Sequence, residues 1–456
     1  MAEQAILTAQ PAVSERLADY VVSLDFAALP PEVVTHAKDL LVNQLGLALS
    51  GRQTIHGRRA IALAHELSSG AGGSTLVGER RKVTLLDAIF AHSILLGQLL
   101  DDVTFPSGLH IGRITHPVAW VVGERQHVPG RELIVAVVAG YDVACRLASS
   151  RLERDYIHLP QNALAPLAAS AVAARLLGLD RARTAHAIAY AAHLGAGLVE
   201  GSAIATSGVI ARNGTMAALL AEPRADGLRT IESPHGLFAT YFHTTMAALD
   251  DALGSLGHEY AIMGTSTKRF PGSASHILAL QYTQELLRRA AAASDDIERL
   301  VVTLSEDFRG RFEFIEPPIE VPDMAWGKIG HSLRVKLAAL LAHGRPSYQP
   351  TPAELDDPDV RGALAKVSLG FEEGRSLAYA RVRLTLRDGR TYEHEGTFRP
   401  YPKGDWSAWL HRGGEADLSD RQVAQLERLL TELETVDDVA DVMACTVPGD
   451  PVCRSV

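Results

Sequence analysis

Histidines and one lysine carry the acid/base potential of this 456-residue sequence. An imidazole titrates near neutral pH and can give or take a proton. An ammonium can hold a carboxylate or the negative charge of an enolate. The residues in question are His110, His158, Lys268 and His276. His116 follows His110 by six residues, a spacing that keeps the two off one face of a regular helix. Ser266 and Lys268 are close enough to suggest a nucleophile and its base, although the pair alone reads more simply as a loop. Each of these residues also has an ordinary explanation. A single histidine in a helical protein is usually hydrogen-bonded structure, and a lysine before Arg-Phe-Pro is usually a solvated charge.

Other chemistries find little support. Gly195-Ala-Gly197-Leu-Val-Glu-Gly201 lacks dinucleotide-loop spacing and follows a helical pattern, not a strand. There is no Walker A loop, no G-x-S-x-G elbow and no H-E-x-x-H pair. Ligand spacing predicts no metal site. The cysteines Cys145, Cys445 and Cys453 form no C-x-x-C pair, disfavour an iron–sulfur centre and suit a reducing cytosol. Cys445 and Cys453 lie near enough in sequence to pair, but so low a count argues against it. No signal peptide and no membrane-spanning stretch is expected, so the reading is cytoplasmic.

The elements that must hold these residues are mostly helices. Hydrophobic residues make up 47% and charged residues 21%, an ordinary globular balance with ample core material. The formal net charge of −10 argues against nucleic-acid and anionic-membrane partners but allows a local cationic pocket for an anionic small molecule. Ser14 is the expected cap of a first helix, Pro31 the expected start of a second and Gly51 its stop. Apolar helical patterns continue over 85–100, 118–122, 133–147, 164–177, 185–194 and 214–220, with no strand alternation before about residue 260. After residue 265 the pattern changes. Leu300 to Leu304 reads as a buried strand, and Arg381 to Arg387 alternates before an Asp388-Gly389 turn and a returning strand from Tyr392 to Phe398. Helices are expected at 274–290, 332–343 and 419–433. The predicted fold is mainly α: a large all-helical domain over 1–264, a smaller α/β domain over 265–400, and a segment over 401–456 returning to the helical domain.

Several short stretches together resemble the MmgE/PrpD family, the group that holds 2-methylcitrate dehydratase and cis-aconitate decarboxylase. Ala88 to Asp102 is similar to the family's A-A-F-x-N-G…H-x-L-D-Y-D-D segment, and His110 to Glu124 to the segment that follows it. Gly140-Tyr141-Asp142 with Arg146 resembles its G-Y-E…R element, and His158 its histidine ahead of a small-residue helix. Lys268-Arg-Phe-Pro271 with His276 resembles K-x-Y-P…H, and Pro402-Lys403-Gly404-Asp405 its P-K-G element. The resemblance implies a helical domain, a smaller α/β domain, a cleft between them and a homodimer. It also implies proton removal beside a carboxylate with loss of water or carbon dioxide, or epimerisation, without a cofactor. His110 and His158 become the acid/base candidates and Lys268 the carboxylate or enolate stabiliser, with His276 lining the same cleft.

Departures from the family pattern bear on the substrate. Leu99 stands where an Asp is usual, Val103 where Thr is usual, Ala203 for a Lys, Thr206 for a His and Val335 for a Tyr, while Asp101 and Asp102 remain. With Arg269, the positions Leu99, Asp101, Asp102, Val103, Ala203 and Thr206 form the expected substrate-binding set. Losing several polar groups together implies a ligand that lost the matching groups. The expected activity is a lyase or isomerase acting beside a carboxylate or carbonyl, on a less charged, secondary-metabolite-like compound. A substrate-folding cyclase using the same cleft, or a non-catalytic relative, are the alternatives.

Overall fold

The computed structural model describes residues 11–69, 72–97, 103–104, 109–150, 161–195, 205–222, 229–241, 244–267, 274–309, 332–346, 352–376, 378–397, 410 and 418–450. The chain forms two compact units. One comprises Met1–Thr267 with Tyr401–Val456, and the other Lys268–Pro400.

The first unit is built of helices α1 (Val13–Ser23), α2 (Pro31–Gly51), α3 (Ile55–Leu67), α4 (Leu85–Gly97), α5 (Gly112–Gln126), α6 (Gly130–Ser149), α7 (Gln161–Leu176), α8 (Arg181–Ala191), α9 (Ala205–Leu219), α10 (Leu237–Tyr241) and α11 (Met246–Gly254). A ladder of β1 (Val103–Thr104) and β2 (Thr265–Ser266) joins two distant stretches of it. At two residues per strand it is too short to show alternation, so it corrects the expectation of no strand before residue 260.

Local rules account for the helix ends, with two corrections. Pro31 opens α2, where a missing N–H costs nothing. α1 begins one residue before Ser14, which is buried inside the helix; the Ala12 N–H is instead satisfied by the Glu15 carboxylate at 2.8 Å. Gly51 is the last residue of α2 rather than a stop beyond it, and a Cβ there would lie 2.2 Å from the Leu95 carbonyl oxygen. Glycine at 51 therefore lets α2 approach α4.

α6 forms the centre of the unit. Every residue from Leu133 to Ala148 is buried, as expected of a helix apolar nearly all round. The alanine-rich α7 packs on α6 and α9, its small side chains allowing close approach. Each fully buried Leu or Val contributes roughly 1.5–3 kcal/mol.

The second unit contains α12 (Ala274–Ala290), β3 (Ile297–Ser305), α13 (Leu333–His343), α14 (Pro352–Asp356), α15 (Pro358–Leu364), β4 (Val367–Glu372), β5 (Tyr379–Leu386) and β6 (Thr391–Thr397). Strand order is β4-β3-β5-β6, with β3 and β4 parallel and the other pairs antiparallel. Leu300 pairs with Leu384 and Val302 with Val382, all buried on one face, and α12 packs against β5 and β6. The expected Asp388-Gly389 hairpin is present, with Gly389 at φ 88°. The chain is thus mainly α with a smaller α/β part.

Two further helices, α16 (Asp420–Thr431) and α17 (Val439–Cys445), belong to the first unit and pack against α2 and α5 respectively. Ser419 caps α16 and Gln422 completes the capping box. Cys145 is buried, and Cys445 is disulfide-bonded, which corrects the expectation of reduced cysteines; Cys453 lies outside the described residues. Among the described residues no helix is long and apolar enough to cross a membrane.

Candidate active site

The β1–β2 ladder is the frame of the candidate site. Val103 pairs with Ser266 and Thr104 with Thr265, antiparallel. Asp101 and Asp102 immediately precede β1, and Lys268 follows β2 after one intervening residue. Asp101, Asp102, Leu99, Ala203, Arg269, His158 and Lys268 lie outside the described residues, as do the stretches 196–204 and 402–405. Their sequence neighbours are in place, and these settle which stretches of backbone meet.

Two helices bracket the acidic stretch. α4 ends at Gly97, two residues before Leu99. α5 starts at Gly112, with Ile111 as its N-cap and the half-buried His110 just before it. Thr206 is half-buried in the first turn of α9. Beside it, Ser207 Oγ donates to the Ser93 carbonyl of α4 at 3.1 Å, which holds the start of α9 against the helix leading to Leu99. His276 is fully buried at the third residue of α12, in the second unit. Val335 is fully buried in α13.

A buried polar network holds the chain that runs into β2. Asp142 on α6 accepts from the Tyr20 hydroxyl with one oxygen and from the Ala261 N–H with the other. Arg146, one turn on, donates to the Ala252 carbonyl at 3.0 Å, to Ser255 Oγ at 2.8 Å and to the Ser255 carbonyl at 3.2 Å, and also to the Glu259 carbonyl. Two side chains of α6 thereby fix residues 252–261, which lead directly to β2. Burial pushes the Asp142 carboxyl up to about 6, against the opposing pull of the Tyr20 hydrogen bond and the Arg146 charge. The G-Y-D…R stretch singled out in the sequence is therefore a positioning device for the ladder.

Three further histidines lie in the first unit, and sequence reasoning gave none of them a role. His36 on α2 is half-buried; burial lowers its pKa, with the Thr265 and Ile262 carbonyls acting in the opposite direction. His92 on α4 accepts the Val77 N–H at 2.9 Å and is lowered by burial to about 4. His116 on α5 is fully buried, with Nε2 3.3 Å from the Tyr141 hydroxyl, and burial takes it to about 3. At neutral pH His92 and His116 are neutral structural groups. Among the described residues no cluster of His, Cys, Asp and Glu has the geometry to hold a metal ion.

"Cis-aconitate decarboxylase-like protein oryM" of Aspergillus oryzae (strain ATCC 42149 / RIB 40) is 24% identical over 471 residues, covering 95% of this chain and 96% of that protein. The profile of the MmgE/PrpD N-terminal domain matches residues 15–249, more than half of the chain, including α4, β1, α5 and the Asp142–Arg146 element of α6. On that match, this chain belongs to the MmgE/PrpD family.

Proposed function

We propose that the protein is a cofactor-free lyase or isomerase that moves a proton beside a carboxylate or carbonyl. The observation that carries this reading is the Val103–Ser266 pairing. Asp102 immediately precedes Val103 in the sequence, and Lys268 follows Ser266 by two residues. By sequence, two carboxylates precede Val103 and an ammonium follows Ser266, on the Val103–Ser266 side of the antiparallel ladder. The relative's printed name, a cis-aconitate decarboxylase-like protein, supports a lyase of this general type.

In this reading His110 or His158 removes the proton beside the carbonyl carbon. The Lys268 ammonium holds the negative charge that collects on oxygen as the C–H bond breaks. The electron pair then expels a leaving group, which the second imidazole protonates, or the carbon is reprotonated at a new position. His276 is the remaining acid/base candidate. Asp101, Asp102 and Arg269 orient the substrate, and Leu99, Val103, Ala203 and Thr206 shape its pocket. The apolar residues at 99, 103 and 203 support a substrate less charged than 2-methylcitrate or cis-aconitate, of the kind met in secondary metabolism. The family likeness also supports a homodimer, which the mass in solution would check.

The test is α-proton exchange. Carboxylic and carbonyl compounds are incubated with the protein in D2O, and deuterium uptake and product formation are followed by mass spectrometry. The proposal expects uptake by a weakly charged substrate, lost in His110→Gln and Lys268→Met while the circular dichroism spectrum is retained. Efficient turnover of 2-methylcitrate or cis-aconitate overturns the substrate assignment. Full activity in both variants overturns the acid/base assignment.

A further inference from the structure

The outer side of α9 is apolar and uncovered. Val209, Leu219 and Leu220 are 42%, 49% and 55% exposed. Leu220 continues the last turn, its N–H bonded to the Met216 carbonyl at 3.0 Å. With the half-buried Arg212, Asn213 and Met216, these residues occupy positions i, i+3, i+4, i+7, i+10 and i+11, a single stripe along the helix. A lone exposed leucine needs no explanation, but a continuous stripe marks an interaction surface.

α8 packs beside α9 and widens the stripe. The Glu222 N–H donates to His186 Nδ1 at 2.8 Å, and Asn213 Nδ2 donates to the Leu194 carbonyl at 3.0 Å. The two rows therefore run antiparallel, and Tyr190 stands midway between these ties. Tyr190 is half-buried, with the rings of His186 and His193 centred 6.0 and 6.4 Å from its own. Aliphatic and aromatic groups thus share one face, and Tyr, Met and Arg are among the residues enriched in protein interfaces.

The charges on this face indicate what covers it. Arg212 lies within the stripe, and Glu222 is exposed just beyond the helix end. Among the described residues neither side chain has an ion-pair partner. They stand on either side of residue 217, so the face complements itself when rotated by half a turn. A two-fold axis beside Met216 and Tyr190 sets Arg212 of one copy against Glu222 of the other, twice over. The same rotation gathers Met216, Leu219 and Leu220 of both copies around the axis. The apolar groups are then central and the charges peripheral, the usual anatomy of an interface.

We propose that the outer face of α8 and α9 is the interface of a two-fold homodimer, closed by Arg212–Glu222 pairs between the copies. This rests on the homodimer reading above and names the face it uses; it does not depend on the acid/base chemistry. Thr206 and Ser207 stand in the first turn of α9, and Ser207 ties that turn to α4. Docking along α9 thus steadies the helix that begins at a pocket-shaping position.

Sedimentation of the full chain over a range of concentrations is the test, with circular dichroism as the check on folding. The parent protein is expected at twice the mass of the chain. Arg212→Glu and Glu222→Arg each set like charges together and should weaken the dimer about 10-fold or more. The double variant restores opposite charges and should return to within about 3-fold of the parent. Leu220→Asp should give a monomer, whereas Ile55→Asp, at a 52% exposed position on α3, should leave the dimer intact. A monomeric parent overturns both the dimer and its face. A dimer that survives Leu220→Asp, or a double variant no tighter than the single ones, overturns the face and leaves the homodimer reading standing.

Discussion

Tyr20 donates its hydroxyl hydrogen to Asp142, joining α1 to the centre of the helical unit. Burial raises the Tyr20 pKa, so the hydroxyl stays protonated and remains a donor. Tyr20→Phe removes this bond and leaves Asp142 buried with the Ala261 N–H and a more distant Arg146 as its partners. The expected loss is about 1–3 kcal/mol in urea unfolding. Amide hydrogen exchange supplies the local readout. It should rise around residues 252–267 and in Val103 and Thr104, and leave α7 and α9 unchanged. A uniform rise would mean that the bond supports the whole unit rather than the approach to β2.

Acid should destabilise the protein through His92 and His116. Their folded-state pKa values, about 4 and about 3, lie below the unfolded value of 6.5. Both are neutral in the fold and take up protons on unfolding below pH 6.5. The stability they contribute is therefore complete above that pH and falls as pH drops toward 4 and then 3. Asp142 acts with the opposite sign. Its folded value of about 6 exceeds the unfolded 3.8, so its contribution is complete below 3.8 and is lost as pH rises through 6. Two histidines outweigh one carboxyl, and net stability should fall from pH 6.5 to pH 4. His116→Asn should flatten that slope and Asp142→Asn should steepen it, as measured by urea midpoints across the range.

The close approach of α2 to α4 yields a third expectation. A Cβ at position 51 meets the Leu95 backbone carbonyl at 2.2 Å, and the backbone cannot move aside without shifting a helix. Gly51→Ala should cost about 1–3 kcal/mol by overpacking. Gly254, at the end of α11, has no atom within 4 Å of the position a Cβ would take. Gly254→Ala should change stability by no more than about 0.5 kcal/mol. Equal urea midpoints for the two variants would contradict the packing argument.

Much of this architecture was legible because its signals are local. The period of Val382, Leu384 and Leu386 names a half-buried strand, Asp388-Gly389 names its turn, and all three apolar residues lie on the buried face. Likewise, Pro31 marks the start of α2. What stayed hidden depends on contacts between distant residues. The role of Gly51 is set by Leu95 on another helix, and β1 becomes a strand only because β2 pairs with it. His92 and His116 sit in segments whose apolar pattern shows burial but not which polar atoms meet. For the candidate reacting groups, the residue types and their order were readable. His110 could be placed just before α5 only from the structure, whereas His276 falls within the helix expected at 274–290.

The ladder itself supports the most direct functional prediction. Thr265 gives its N–H to the Ile262 carbonyl, as the cap of the short turn before β2. Adjacent antiparallel pairs alternate between bonded and non-bonded, so Val103 and Ser266 are the pair that exchanges both bonds. Ser266→Pro removes one of them, because proline has no N–H to donate. The rest of the helical unit keeps its contacts, so the circular dichroism spectrum and most of the stability should survive. The stretches leading to Asp102 and Lys268 would then lose their common anchor. A displacement of about 1 Å at reacting groups costs on the order of 100-fold in rate. Ser266→Pro should therefore lower α-proton exchange about 100-fold or more. Ser266→Ala removes only a hydroxyl that donates to the Thr267 carbonyl at 3.2 Å, and should keep the rate within about 3-fold. If proline at 266 leaves the exchange rate unchanged in a folded protein, the ladder does not organise the site, and the acid/base chemistry must be sought on other elements.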